Sequence, residues 1–206
     1  MFRKLWLASM LVIYALFFGW YTSFSGPLTE QEIQVVLEHA RDARSASDVR
    51  VLEAFMRSDT GDDFVMVNLL ELNENPPDLP ATGPGAAPMD LINHYMEHMY
   101  VAQFKRACHP LFFGRAVGGA LDLSGIEGAE RWTQAALFRY RSRRDVLEIV
   151  LNPAFDERHD YKMAALLKTI AVPVEASLLI DLRLFVALLL FTIFSIVDWL
   201  AFRRRV

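Results

Sequence analysis

An α+β domain carried between two membrane-spanning helices is the fold this sequence predicts, on three observations. Residues 5–20 (LWLASMLVIYALFFGW) and 184–197 (LFVALLLFTIFSIV) are apolar runs without a charge, one near each end of the chain. The stretch between them alternates short β-rich runs with helical patterns, in the order strand, helix, strand, strand, helix, strand. Each switch of period is marked by Gly, Pro or a capping residue.

Four segments follow: a first transmembrane helix at 1–24, a helical segment at 25–61, the α+β domain at 62–180, and a second transmembrane helix with a basic tail at 181–206. The first apolar run follows Arg3 and Lys4, as in a secretory signal, but Phe17-Phe18-Gly19-Trp20-Tyr21 offers no small-x-small cleavage site. An uncleaved anchor is expected, with Trp20 and Tyr21 at the interface. The second run reaches Trp199 and Phe202 and then meets Arg203-Arg204-Arg205. Positive charge flanks both ends, so both termini are expected in the cytoplasm and the domain outside, in the periplasm of a bacterial inner membrane.

Residues 25–182 hold 24 of the 25 acidic residues and 15 of the 21 basic ones, a net charge of −9. That balance argues against nucleic acid as a partner. A single cysteine, Cys108, excludes an intrachain disulfide.

Thr29-Glu30-Gln31-Glu32 is a capping box that opens an amphipathic helix with Ile33, Val36, Leu37 and Ala40 on one face. Ser47-Asp48 caps a second helix carrying Val51, Leu52, Phe55 and Met56. Phe64–Leu72 (FVMVNLLEL) is the clearest strand, and the Pro/Gly-rich residues 73–89 form a loop. A helix from Asp90 carries Leu91, Ile92, Tyr95, Met96 and Met99 and ends near His109-Pro110. Strands are expected at 111–117, 133–141 and 170–174. The second of these leads into a helix capped at Ser142, and a helical stretch over 155–168 precedes the last. This order is the split βαβ, or ferredoxin-like, arrangement: a four-stranded antiparallel sheet with its helices on one face. The bare opposite face needs a partner, a second copy or another subunit.

The residues Val65-Met66-Val67-Asn68-Leu69-Leu70, Phe113-Gly114-Arg115, Ala136–Arg143 and Asn152-Pro153-Ala154-Phe155, with His159 and Ala164-Ala165-Leu166, carry a further likeness. Over about residues 62–175 the chain resembles the dimeric α+β barrel superfamily, especially its small bacterial families of unassigned function. The resemblance implies a barrel built from two sheets. It fixes no activity, because that superfamily holds monooxygenases, haem-handling enzymes, isomerases and proteins without known activity. Two membrane helices, a helical pair and a long loop depart from its usual soluble members.

Site candidates are few. His94 and His98 stand four apart on one helix face, the spacing of a metal pair, yet two ligands make no site and rim histidines are the plainer reading. Asn68 interrupts an apolar strand. Glu71, Arg115 and Arg139 form an anion- or carbonyl-binding cluster if the strand registers place them on one face; structural salt bridges are the competing reading. His159 is a candidate for proton transfer. Lys105 and Arg106 stand near Cys108, where positive charge lowers a thiol pKa, but no accompanying base is readable. The basic run Arg139, Arg141, Arg143 and Arg144 lacks a Gly-rich phosphate cradle and reads as a solvated strand edge. In the apolar runs, Ala15 and Gly19 form a small-xxx-small pair, and Thr192 and Ser195 a polar stripe, both helix-packing features. No cofactor is assigned; haem and metal stay open.

The expected function is a membrane-anchored accessory or scaffolding subunit. It uses lipid and other membrane subunits, or a second copy, as partners. The alternative is a membrane-bound enzyme or small-ligand-binding protein that uses the barrel interior. A lined pocket favours the second and a filled sheet face the first.

Overall fold

The computed structural model describes residues 2–43 and 45–203. The chain divides into a helix pair, from residues 1–23 and 176–206, and an α+β unit, Phe24–Glu175.

The helix pair comprises α1 (Phe2–Tyr21) and α7 (Leu182–Arg203). Both are long and apolar enough to cross a membrane: at 1.5 Å per residue, about 20 residues match a hydrocarbon core about 30 Å thick. They pack antiparallel. Arg3, at the start of α1, pairs with Asp198 near the end of α7 at 2.8 Å. At the opposite end, Arg183 stands 5.9 Å from the Tyr21 ring and donates to Thr22 Oγ1 at 3.4 Å. Buried Met10 and Tyr21 belong to this pair. Ala15, Gly19, Thr192 and Ser195 do not make the contact: all four are exposed, and nothing lies within 4 Å of a Cβ built on Gly19. Of the two neighbours expected for the Thr192/Ser195 stripe, the Ala15/Gly19 side of the first helix or a partner subunit, the first is not met within this pair. The physical reason is local. Thr192 and Ser195 donate back to the carbonyls of Leu188 and Phe191, each at 2.8 Å, so neither hydroxyl needs a neighbouring helix.

The α+β unit contains α2 (Glu30–Ala43), α3 (Ala46–Arg57), β1 (Phe64–Leu72), α4 (Pro88–Lys105), β2 (His109–Arg115), β3 (Gln134–Tyr140), α5 (Arg143–Val150), α6 (Pro153–Ala164) and β4 (Leu166–Val174). The sheet is four-stranded and antiparallel, in the order β2-β3-β1-β4. Caps fix the helix starts. Thr29 and Glu32 form their reciprocal box. Ser45, rather than Ser47, caps α3. Ser142 accepts from the Asp145 N–H, and Asn152 with Pro153 opens α6. Gly61, at φ +84, has backbone atoms of Gly26 and Pro27 within 3 Å of where a Cβ would stand, so the turn into β1 admits no side chain. The last strand starts four residues earlier than expected: Leu166–Thr169 pairs with β1 instead of prolonging α6.

Alternate residues of β1 divide the unit. Phe64, Met66, Asn68 and Leu70 face the helices. There, buried Ile33, Leu37, Met56, Tyr95, Met99 and Ile149 gather with Phe64 and Tyr140 in one cluster, and Leu91, Ile92 and Leu166 gather with Leu70 in another. Val65, Val67, Leu69 and Glu71 look the other way, beside Leu137, Ile170 and Val172. One end of this second face is covered by the 116–133 loop, whose Trp132 ring lies 4.8 Å from Lys168 Nζ. Its middle is open: Phe112 is 51% exposed and Val172 45%. Both outer strands contain a proline, Pro110 in β2 and Pro173 in β4.

The four arginines around β3 are not a solvated edge. Arg139 is buried and donates to Asp63 Oδ2 at 2.6 Å and to the Ala107 carbonyl at 3.0 Å. Arg141 pairs with Asp145 at 2.7 Å. Buried Arg143 donates to the Phe55 carbonyl and to Ser58 Oγ, and its guanidinium stands 4.8 Å from the Phe55 ring. Arg144 clamps Glu32 at 2.6 Å and reaches the carbonyls of Gly26 and Pro27. Each arginine makes a structural tie; for Arg139, Arg143 and Arg144 the segment ahead of β1 supplies partners, and for Arg141 the first turn of α5 does.

The Arg144 clamp holds the Glu32 carboxyl down at about 2 rather than 4.5; the Arg144 hydrogen bond is the main cause and the Thr29 N–H the next. A depressed carboxylate pKa stabilises the fold above the unfolded value and loses that contribution as pH falls from about 4.5 towards 2. Glu32→Gln is expected to lower the unfolding midpoint at neutral pH and to match the wild-type chain near pH 2. A gap that stays constant with pH counts against this assignment.

Candidate functional site

Between the helix-facing side of the sheet and helices α4, α5 and α6 lies a cavity of about 260 Å³. Its body is apolar and rich in methionine and aromatic rings: Met66, Met96, Met99, Phe113, Phe138 and Phe155. Methionine lines such a space adaptably, because its unbranched thioether changes rotamer cheaply.

Polar groups enter from three elements. Asn68, from β1, donates its amide nitrogen to the carbonyls of Met66 and Ala136 at 3.1 and 3.2 Å. Two carbonyl neighbours fix which end is nitrogen and leave the amide oxygen for the cavity. Gln103, from the last turn of α4, is 2% exposed. Its nitrogen donates to the Tyr140 hydroxyl at 3.0 Å, while its oxygen is buried without a partner. Flipping the amide moves the deficit to the nitrogen and does not remove it. From α6 come His159, stacked on Phe155 at 5.0 Å, and Lys162, whose ammonium stands 5.7 Å from the Tyr95 ring. No carboxylate among the described residues bonds to Lys162. Burial lowers the Lys162 pKa and raises that of Tyr95; it pushes the Tyr140 hydroxyl up to about 12.

The expected cluster of Glu71, Arg115 and Arg139 is not assembled. Arg139 pairs across the sheet with Val65, and Glu71 lies six residues further along β1, about 20 Å away at 3.3 Å per residue. Glu71 instead holds Lys168 at 2.9 Å. Arg115 is on the opposite face, because β2 bulges between Pro110 and Phe112 and everything beyond changes side. There it lines an open surface groove of about 570 Å³ with Arg131, Trp132 and Gln134.

His94 lies tilted against the Tyr161 ring, centroids 4.4 Å apart, and faces Arg158, a cation, which is poor company for a metal ion. His98 Nε2 is buried without a hydrogen-bond partner. Among the described residues, no group of three or more His, Cys, Asp or Glu is placed to hold a metal. Cys108 is buried and its thiol is pushed up to about 11 by that burial, the reverse of what its basic neighbours in sequence suggest.

The α+β unit shares its fold with a protein of unknown function from Rhodopseudomonas palustris. One crystal structure of that protein aligns with a TM-score of 0.51 at 17% identity, covering 63% of this chain and 94% of the other. A structure of the methylated protein gives 0.52 at 16% identity, covering 64% and 93%. A dimeric ferredoxin-like protein of unknown function from Jannaschia is 15% identical with a TM-score of 0.36, too loose a likeness to argue from. No family model and no curated protein matches the chain. The mixed α+β architecture with a four-stranded antiparallel sheet stands, consistent with the ferredoxin-like expectation.

Two cavity residues were absent from the sequence candidates although a signal for each was present. Gln103 continues the apolar stripe of Tyr95 and Met99 at a spacing of four, and a polar residue on a buried stripe calls for a partner. Lys162 follows Phe155 and His159 at spacings of four and three, along one helix face.

Proposed function

We propose that this protein is a membrane-tethered ferredoxin-like domain that holds a small, mostly apolar ligand between its sheet and helices. The carrying observation is an apolar cavity of about 260 Å³ whose lining also holds the polar side chains of Asn68, Gln103 and Lys162. The polar groups are few and fixed, as in sites that orient a ligand. No set of nucleophile, base and orienting group is assembled here, so the proposed role is binding.

The split βαβ reading, the membrane placement and self-association through the sheet belong to the same proposal. The strand order β2-β3-β1-β4 supports the first. The apolar helix pair with Arg3, Lys4 and the arginines after Phe202 supports the second. The open face around Val67 supports the third. An accessory role in a larger complex draws on that same face and on no further observation.

The ligand test uses the full chain in lipid nanodiscs. The neutral probe 4-phenylbutyramide, at a hundred times its Kd, is expected to raise the unfolding midpoint by about 5–10 °C. Ala136→Leu, which puts bulk into the cavity beside Asn68, is expected to abolish the shift. A shift that survives in Ala136→Leu places binding elsewhere and sinks the proposal. For topology, a reporter active only in the cytoplasm is expected to work after Val206 and to be silent when inserted at Gly85. Activity at Gly85 overturns the orientation.

A further inference from the structure

The cavity's polar groups differ in sign, and that narrows its occupant. Resting on the ligand-binding reading above, we infer that the cavity selects a small organic acid: its carboxylate meets Lys162 and its apolar body lies along the methionine and aromatic lining.

Three observations carry the inference. The first is an ammonium in an apolar wall. Lys162 is half-buried on α6, with the Tyr95 ring as its charge-stabilising neighbour and no carboxylate among the described residues bonded to it. An aromatic face offsets only part of the lost hydration of a cation. An anion brought by a ligand supplies the rest through a charge-assisted hydrogen bond. The domain is acidic, with a net −9 over residues 25–182, so a lysine left without a carboxylate is not explained by a lack of acidic residues.

The second is the position of Gln103. Tyr95, under Lys162, and Gln103 are eight residues apart on α4, about 12 Å along the helix axis. Lys162 and Gln103 therefore stand towards opposite ends of the lining. The third is its size. At about 30 Å³ per water molecule, 260 Å³ holds about nine waters. That is the scale of a molecule of about a dozen non-hydrogen atoms, with one charged end and an apolar body.

The experiment compares 4-phenylbutyrate with its neutral isostere 4-phenylbutyramide by titration calorimetry on the full chain in nanodiscs of zwitterionic lipid. The acid is expected to bind at least tenfold more tightly. Lys162→Met keeps the apolar stem and removes the charge; its affinity for the acid is expected to fall at least tenfold, to that of the amide. The unfolding midpoint in the same nanodiscs reports that the variant is folded. Lys162→Arg is expected to keep the preference. Equal affinities for acid and amide in the wild-type chain, or a preference that survives Lys162→Met, overturn the acid inference and leave the cavity reading standing. Failure of both probes to bind overturns the inference and the cavity reading together.

Discussion

Arg139→Met is expected to be among the most damaging single substitutions in the α+β unit, lowering its stability by about 3 kcal/mol or more. The guanidinium of Arg139 is buried and satisfies Asp63 and the Ala107 carbonyl at once. Removing one member of a buried pair leaves the other charge uncompensated, which typically costs about 3–5 kcal/mol. Asp63 is about one-third exposed and regains some water, which favours the lower end. Ala107 adds to the cost. It holds φ at +54 where α4 turns into β2, a conformation unfavourable for a residue with a Cβ, and the hydrogen bond from Arg139 pins it there. The unfolding midpoint of the variant in detergent is expected to fall by about 10 °C. Arg106→Met is the control: its partner Glu148 is exposed and regains water, so its loss is expected to cost about 1 kcal/mol or less. Similar midpoints for the two variants refute the ranking.

On the proposed pairing of two copies through the open sheet face, Leu137→Glu is expected to weaken that pairing by at least about a hundredfold in Kd, or about 2.8 kcal/mol. Leu137 faces away from the helices beside Val67, which is flanked on its other side by Val172. Within one copy the site is half-buried and the new carboxylate reaches water. Between two copies packed on this face, each carboxylate is buried against apolar side chains and against its own counterpart. Sedimentation equilibrium in a density-matched detergent reads the difference, and an unchanged mass for the variant removes the sheet face from consideration. The folded monomer is expected to keep its unfolding midpoint within about 2 °C, because Leu137 is only half-buried in one copy.

The fold was legible where local chemistry is strong. Thr29 with Glu32, Ser142 with Asp145 and Asn152 with Pro153 announce helix starts through groups that bond within four residues. Phe64–Leu72 announces itself by β-branched and apolar residues between turns. The start of β4 was not legible. Leu166-Leu167-Lys168 suits a helix as well as a strand, and pairing with Leu72 and Glu71, some 95 residues away in sequence, decides it. The candidate site failed in the same way. Whether Arg115 shares a face with Glu71 depends on one extra residue in β2, and side-chain parity carries that single insertion to the far end of the strand. The arginines of β3 were misread because the groups that bury them, Asp59, Asp63 and the Phe55 carbonyl, belong to a segment distant in sequence. Gln103 and Lys162 were readable as polar residues on apolar stripes; which cavity they share was not.

Pro110 and Pro173 bear on how copies of this chain can grow together. A proline inside a sheet is tolerated where its nitrogen points away from the neighbouring strand, so each marks an outer rim that lacks a donor. Edge-to-edge addition, which can propagate from copy to copy into fibres, meets that gap at both rims. Stacking by the open faces ends once two copies have met, because each molecule has one such face to offer. The two prolines thus interrupt both rims at which strand addition from copy to copy would start.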